Sequence, residues 1–164
     1  MCDFSSFIEE INKYSKGVHM LYPAAPYSCI KEAERELCVT FPQVYIDFLL
    51  VYNGGELFVP GTELHPVKVP ALLDSPGLTF LNDIQNNSLP DMPETLFIFA
   101  DTNYGDPICF NFDKQDCQEC EVVQWSHEDG EISRRWNGFR EWLMDALDEG
   151  SMITDYDGSD KDLI

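Results

Sequence analysis

Positive charge is scarce in this sequence. Only 10 Lys and Arg stand against 30 Asp and Glu in 164 residues, a formal charge of −20 at neutral pH. Nucleic acids and anionic membranes are polyanions, so this balance argues against either as a direct partner. Long apolar runs are missing as well. The most apolar stretch, Ile46 to Tyr52, contains Asp47 and is far too short to span a bilayer. The N-terminus has neither the basic nor the apolar segment of a secretory signal. Cys2 stands where myristoylation needs glycine, and Lys161 stands where prenylation needs cysteine. These absences point to a cytoplasmic protein.

Catalytic signatures are equally thin. The three histidines, His19, His65 and His127, are far apart in sequence, and none belongs to a His-Glu-x-x-His pair. There is no Gly-x-Ser-x-Gly elbow and no Gly-x-x-x-x-Gly-Lys phosphate loop. Carboxylate pairs abound, but among 30 acids their spacing selects no general acid. The expectation is a non-enzymatic chain without a cofactor.

The apolar content is enough for a core. Hydrophobic residues make up 44% and aromatics 13%, which excludes a disordered chain. The length suits one domain, able to bury roughly 70% of its unfolded surface without staples. Six cysteines invite a disulfide reading, but without a secretory signal they are expected as free thiols, with Cys38 and Cys109 buried. Cys117-Gln-Glu-Cys120 resembles half of a zinc site. Its nearest further ligands are Cys109 and His127, and no second Cys-x-x-Cys exists, so it reads as a hairpin tip carrying two thiols. Asp101 to Asp106 has the look of a calcium loop, but Gly105 is fifth and Phe112 twelfth, where an EF-hand needs its glycine sixth and a glutamate twelfth. It reads as a tight turn, with Gly105 supplying positive φ.

Periodicity predicts the elements. Phe4, Phe7, Ile8 and Ile11 make one face of a helix, with Asp3 as its cap. Residues 18–27, with Pro23 and Pro26, read as a loop. Ser28 is expected to cap a second helix with Ile30, Ala33 and Leu37 inward and Lys31, Glu32, Glu34, Arg35 and Glu36 in water. Phe41-Pro42 opens a third helix through Tyr45, Phe48 and Tyr52, and Asn53-Gly54-Gly55 is expected to stop it. Short strands are expected at Glu56 to Val59 and Leu64 to Val69. Residues 70–94 read as an irregular connection with a short helix near Leu81. Leu96 to Ala100 is a central strand, and Ile108 to Phe112 pairs with Val122 to Trp125 as a hairpin. Asn137 is expected to cap a last helix through Phe139, Trp142, Leu143, Ala146 and Leu147. Residues 148–164 read as an acidic tail, mobile unless Met152-Ile153 and Tyr156 dock. Helices, then strands, then a helix give an α+β single domain over residues 1–147, with an antiparallel sheet.

Acidity rises along the chain. Residues 1–60 carry eight acids and four bases, and residues 111–164 carry fifteen and five. Asp101, Asp106, Glu128, Asp129 and Glu131 flank turns at strand ends and are the candidate partner-binding residues. No metal ligand set is assigned.

Phe41-Pro42-Gln-Val-Tyr45-Ile-Asp-Phe48-Leu-Leu-Val-Tyr52-Asn53-Gly54-Gly55 resembles the SUKH superfamily, the Smi/Knr-like domains. So does the order of the downstream segments: Leu96 to Ala100, Asp101 to Asp106, Ile108 to Phe112, Val122 to Trp125, and Gly138-Phe139-Arg-Glu-Trp142-Leu143. The likeness covers residues 28–147, with Phe41 in place of the usual Leu and Cys38 where Gly is common. It implies a protein-binding domain. Bacterial members of this kind act as immunity proteins that neutralise a cognate toxin, commonly a basic nuclease; the alternative is a regulatory scaffold like the fungal cell-wall assembly branch.

Overall fold

The computed structural model of the chain describes residues 1–72, 77–78, 91–116 and 118–162. Helices α1 (Ser5–Ile11), α2 (Tyr27–Leu37), α3 (Gln43–Leu49) and α4 (Phe139–Ile153) pack on one sheet. Its strands are β1 (Met20–Pro23), β2 (Tyr52–Leu57), β3 (Thr62–Leu64), β4 (Leu96–Asp101), β5 (Pro107–Gln115), β6 (Cys120–Ser126) and β7 (Glu131–Trp136). The seven strands lie in sequence order and every neighbouring pair is antiparallel. The chain is the α+β single domain expected, and β4 is the central strand of the sheet.

Alternation along the strands sorts side chains between two faces. Phe97, Phe99, Phe110, Val122 and Trp136 face the helices and join Phe7, Tyr45, Phe48, Phe139 and Leu143 in the main core. Phe99 stacks on Phe110 with ring centroids 4.2 Å apart, and Tyr45 meets Phe110 at 5.0 Å and Phe139 at 5.1 Å. Aromatic pairs in such geometry contribute about 0.5–1.5 kcal/mol beyond their buried area. The other face carries Leu96, Ile98, Cys109, Val123 and Trp125 in a second cluster with Met92.

Several local expectations are corrected. Residues 18–27 are not all loop: Met20 to Pro23 form an edge strand on β2. Proline at its end is tolerated there, since an edge leaves one row of amides unpaired anyway. Pro26, not Ser28, precedes the first turn of α2, and Gly138, not Asn137, precedes that of α4. Glu34 does not face water. It is buried, accepting the Phe41 amide at 2.7 Å and pairing with Lys31. Cys38 is exposed, because it ends α2 in the left-handed conformation, at φ +55°, which turns its side chain outward. The third helix closes at Leu49, and Asn53-Gly54-Gly55 lies inside β2. The glycines are needed there for clearance: a Cβ on Gly54 would sit 2.4 Å from the Leu64 carbonyl oxygen, and one on Gly55 2.2 Å from that of Met20. Strand β3 covers only Thr62–Leu64, short of the run expected to Val69, and β7 was not expected from the sequence at all.

Helix α4 runs six residues past Leu147, and the segment after it folds back. Thr154 bridges Asp160, the Ser15 amide donates to the Tyr156 carbonyl at 2.7 Å, and the Tyr156 ring meets Tyr14 at 4.9 Å. The short helix expected near Leu81 lies outside the described residues. Among the described residues no helix is long and apolar enough to cross a membrane.

Candidate partner-binding end of the sheet

A meander with all neighbours antiparallel places alternate turns at the same end. The β2–β3, β4–β5 and β6–β7 connections therefore gather at one end of the sheet. All five candidate residues named from the sequence stand there. Asp101 ends β4, 31% exposed, with its Oδ2 2.7 Å from His65 Nε2. Asp106 closes the next turn. Its carboxylate accepts from Gln124 Nε2 at 2.9 Å and the His127 amide at 3.1 Å, and lies 2.7 Å from His127 Nδ1. Burial pushes the Asp106 carboxyl up, but the hydrogen bonds from Gln124 and His127 outweigh it and hold it below the usual range. Gly105 has φ +87°, as a tight turn requires, and the His127 ring lies beside it. Glu128, Asp129 and Glu131 are exposed around the β6–β7 turn. Asp129 accepts from Ser126 Oγ at 3.0 Å, and none of the three forms an ion pair among the described residues.

Strand register adds two acids that spacing alone does not reveal. Glu56 stands directly opposite Glu63, and Glu63 directly opposite Asp101. Leu57, Leu64 and Ala100 enter the helix-side core, so these three carboxylates share the other face in one cross-strand row. Like charges in directly opposed positions destabilise a sheet. Asp101 lies against His65 and Glu56 accepts a backbone amide, whereas Glu63 is exposed and forms no ion pair among the described residues.

On the helix side of the same end, a groove of about 620 Å³ opens between the β2–β3 turn, the β4–β5 turn and the end of α4 with its returning segment. The β2–β3 turn is fixed from below. The Phe58 amide donates to His19 Nδ1 at 3.1 Å, the Val59 amide to the Val18 carbonyl at 2.8 Å, and the Gly61 amide to Glu56 at 2.9 Å. Burial holds the His19 pKa below its usual value, so the ring stays neutral and accepts through Nδ1. Phe58 adopts φ +53°, and its ring covers Gly150 of α4.

The thiols do not assemble as a zinc site of Cys109, Cys120 and His127. Cys109 belongs to the cluster on the sheet's other face and Cys120 to the helix-side core, so a sheet separates them. Cys120 Sγ contacts the Asn111 carbonyl at 3.2 Å, and burial pushes its thiol up to about 12. Cys117 lies outside the described residues.

The model of the SMI1 / KNR4 family (SUKH-1) matches residues 28–145. A crystal structure of a protein from Pseudomonas syringae pv. tomato shares the fold, with a TM-score of 0.65 at 19% identity over 87% of this chain and 98% of that one. No curated protein matches.

Proposed function

The chain belongs to the SMI1 / KNR4 family (SUKH-1), generally a protein-interaction domain, and from that premise we propose that it is an immunity protein that binds and neutralises a cognate basic toxin. The observation that carries this reading is the row Glu56, Glu63 and Asp101, continued by Glu128, Asp129 and Glu131 at the same end. A free protein loses stability by opposing carboxylates across strands. A cationic partner surface relieves that repulsion, so part of the binding free energy is repulsion removed. A nuclease toxin is the fitting class, because an enzyme that grips phosphates displays a basic cleft, and carboxylates stand where phosphates would.

The protein acts by covering a surface, with no bond made or broken on it. The same charge speeds encounter with a basic partner and repels nucleic acid. It works in the cytosol, where Cys2, Cys29, Cys38, Cys109 and Cys120 stay as the free thiols they are here.

Co-expression tests the reading. A candidate basic toxin from the same genome is expressed with and without this chain, and the two proteins are then co-purified. The expected result is relief of toxicity and a stoichiometric complex that the E56Q/E63Q pair weakens. No relief and no complex contradicts the immunity role; a complex with a wall-synthesis or signalling protein instead favours the scaffold branch.

A further inference from the structure

The carboxylate row occupies one face of the partner-binding end, and the groove opens on the other. Three exposed apolar side chains border that groove: Val59 on the β2–β3 turn, Tyr104 on the β4–β5 turn and Ile153 at the end of α4. Its cations are committed or few. Arg134 is held at 2.8 Å by both Asp145 and Glu149, leaving Lys16 against Asp157 and Asp160 of the returning segment. The groove thus combines apolar edges with a net negative wall.

We infer that this groove is a docking site for an extended partner segment bearing Lys or Arg, and that the returning C-terminal segment decides which segment is accepted. A long cationic side chain has the matching chemistry. Its alkyl stem covers Val59 and Ile153, while its head finds the face of Tyr104 and the carboxylates of Asp157 and Asp160. The selectivity follows from where the walls come from. The turns and Arg134 lie within the family-matched residues 28–145, whereas Ile153, Asp157 and Asp160 lie beyond them. The acidic wall of the groove thus lies outside the family-matched residues, as does Lys16, while the two turns that face it lie inside them. The inference deepens the proposed function and rests on it for the cationic nature of the partner.

The test uses the full chain and two capped peptide probes, one alternating arginine with leucine and one alternating glutamate with leucine, followed by amide chemical-shift titration. The arginine probe is expected to shift amides of Val59, Gly61, Tyr104 and Gly158, and the glutamate probe to shift none. The D157N/D160N pair is expected to weaken the arginine probe at least about threefold. Both side chains are exposed, so thermal melting is expected to stay near that of the parent. Shifts confined to Glu56, Glu63 and Asp101, equal response to both probes, or unchanged affinity in D157N/D160N overturns the groove. Toxin binding separates the two claims. A complex lost in E56Q/E63Q but untouched in D157N/D160N sinks the groove alone. Arginine-probe binding at the groove without any toxin complex sinks the immunity reading alone.

Discussion

Asn53 grips Val67 by both of its backbone groups: Asn53 Oδ1 accepts the Val67 amide at 2.9 Å, and Asn53 Nδ2 donates to the Val67 carbonyl at 2.9 Å. The side chain is fully buried and imitates a neighbouring strand, holding in place the chain that leaves β3. Asn53→Ala strands two buried backbone groups and is expected to cost about 2–4 kcal/mol in denaturant unfolding. Asn53→Asp is expected to be nearly as damaging, because a carboxylate cannot donate. A loss below about 1 kcal/mol in both variants contradicts this role.

Asn53 also shows how far the sequence was readable. Asn-Gly-Gly after an aromatic helix looks like a helix stop, but the helix already ends at Leu49, and the two glycines take their positive φ inside β2. The reason they do so was not local. Gly54 and Gly55 clear the backbones of Leu64 and Met20, contacts that exist only once three strands pair. The same limit hid Glu56 and Glu63, which become neighbours of Asp101 through register. It hid β7 too, whose Ser133, Arg134 and Arg135 are exposed polar residues with no apolar alternation to see. Strands with continuous or alternating apolar content, β4, β5 and β6, were legible, as was the helix built on Phe139 and Trp142. The family pattern lay in these parts; the groove, built partly from the chain's two ends, did not.

Gly150 sits in the interior of α4, where Gly→Ala ordinarily stabilises a helix by about 1 kcal/mol. Here a Cβ would lie 2.2 Å from the Phe58 ring. Gly150→Ala is therefore expected to destabilise by about 1–3 kcal/mol. The clash disappears when the ring is removed, so Gly150→Ala is expected to be mild in a Phe58→Gly background. A double-mutant cycle on thermal unfolding reads the coupling, and additive losses contradict the contact.

Glu63 is exposed and faces an acid on either side. Glu63→Gln removes two like-charge pairings at once and is expected to stabilise the free protein by about 0.3–1 kcal/mol at low salt, with the gain shrinking as salt rises. Chemical denaturation at two ionic strengths checks it; destabilisation at low salt speaks against the repulsive row.

Asp106 supplies a pH signature. Its carboxyl is held below the usual range in the folded protein, so its contribution is complete above the unfolded value and is lost as pH falls through the folded one. Stability is expected to decline below about pH 4, and Asp106→Asn to show a shallower decline between about pH 4 and pH 2. Denaturant midpoints across that range decide it, and parallel curves for parent and variant would falsify the assignment.

The most direct measurement is the rate at which this chain associates with the basic toxin proposed as its partner, by stopped flow at low and high ionic strength. If the acidic end of the sheet meets a basic surface, the rate falls by about tenfold or more from low to high salt, and E56Q/E63Q lowers the low-salt rate while leaving the high-salt rate nearly unchanged. A rate indifferent to salt, with E56Q/E63Q matching the parent throughout, contradicts the claim that this end of the sheet exists to receive a cationic partner.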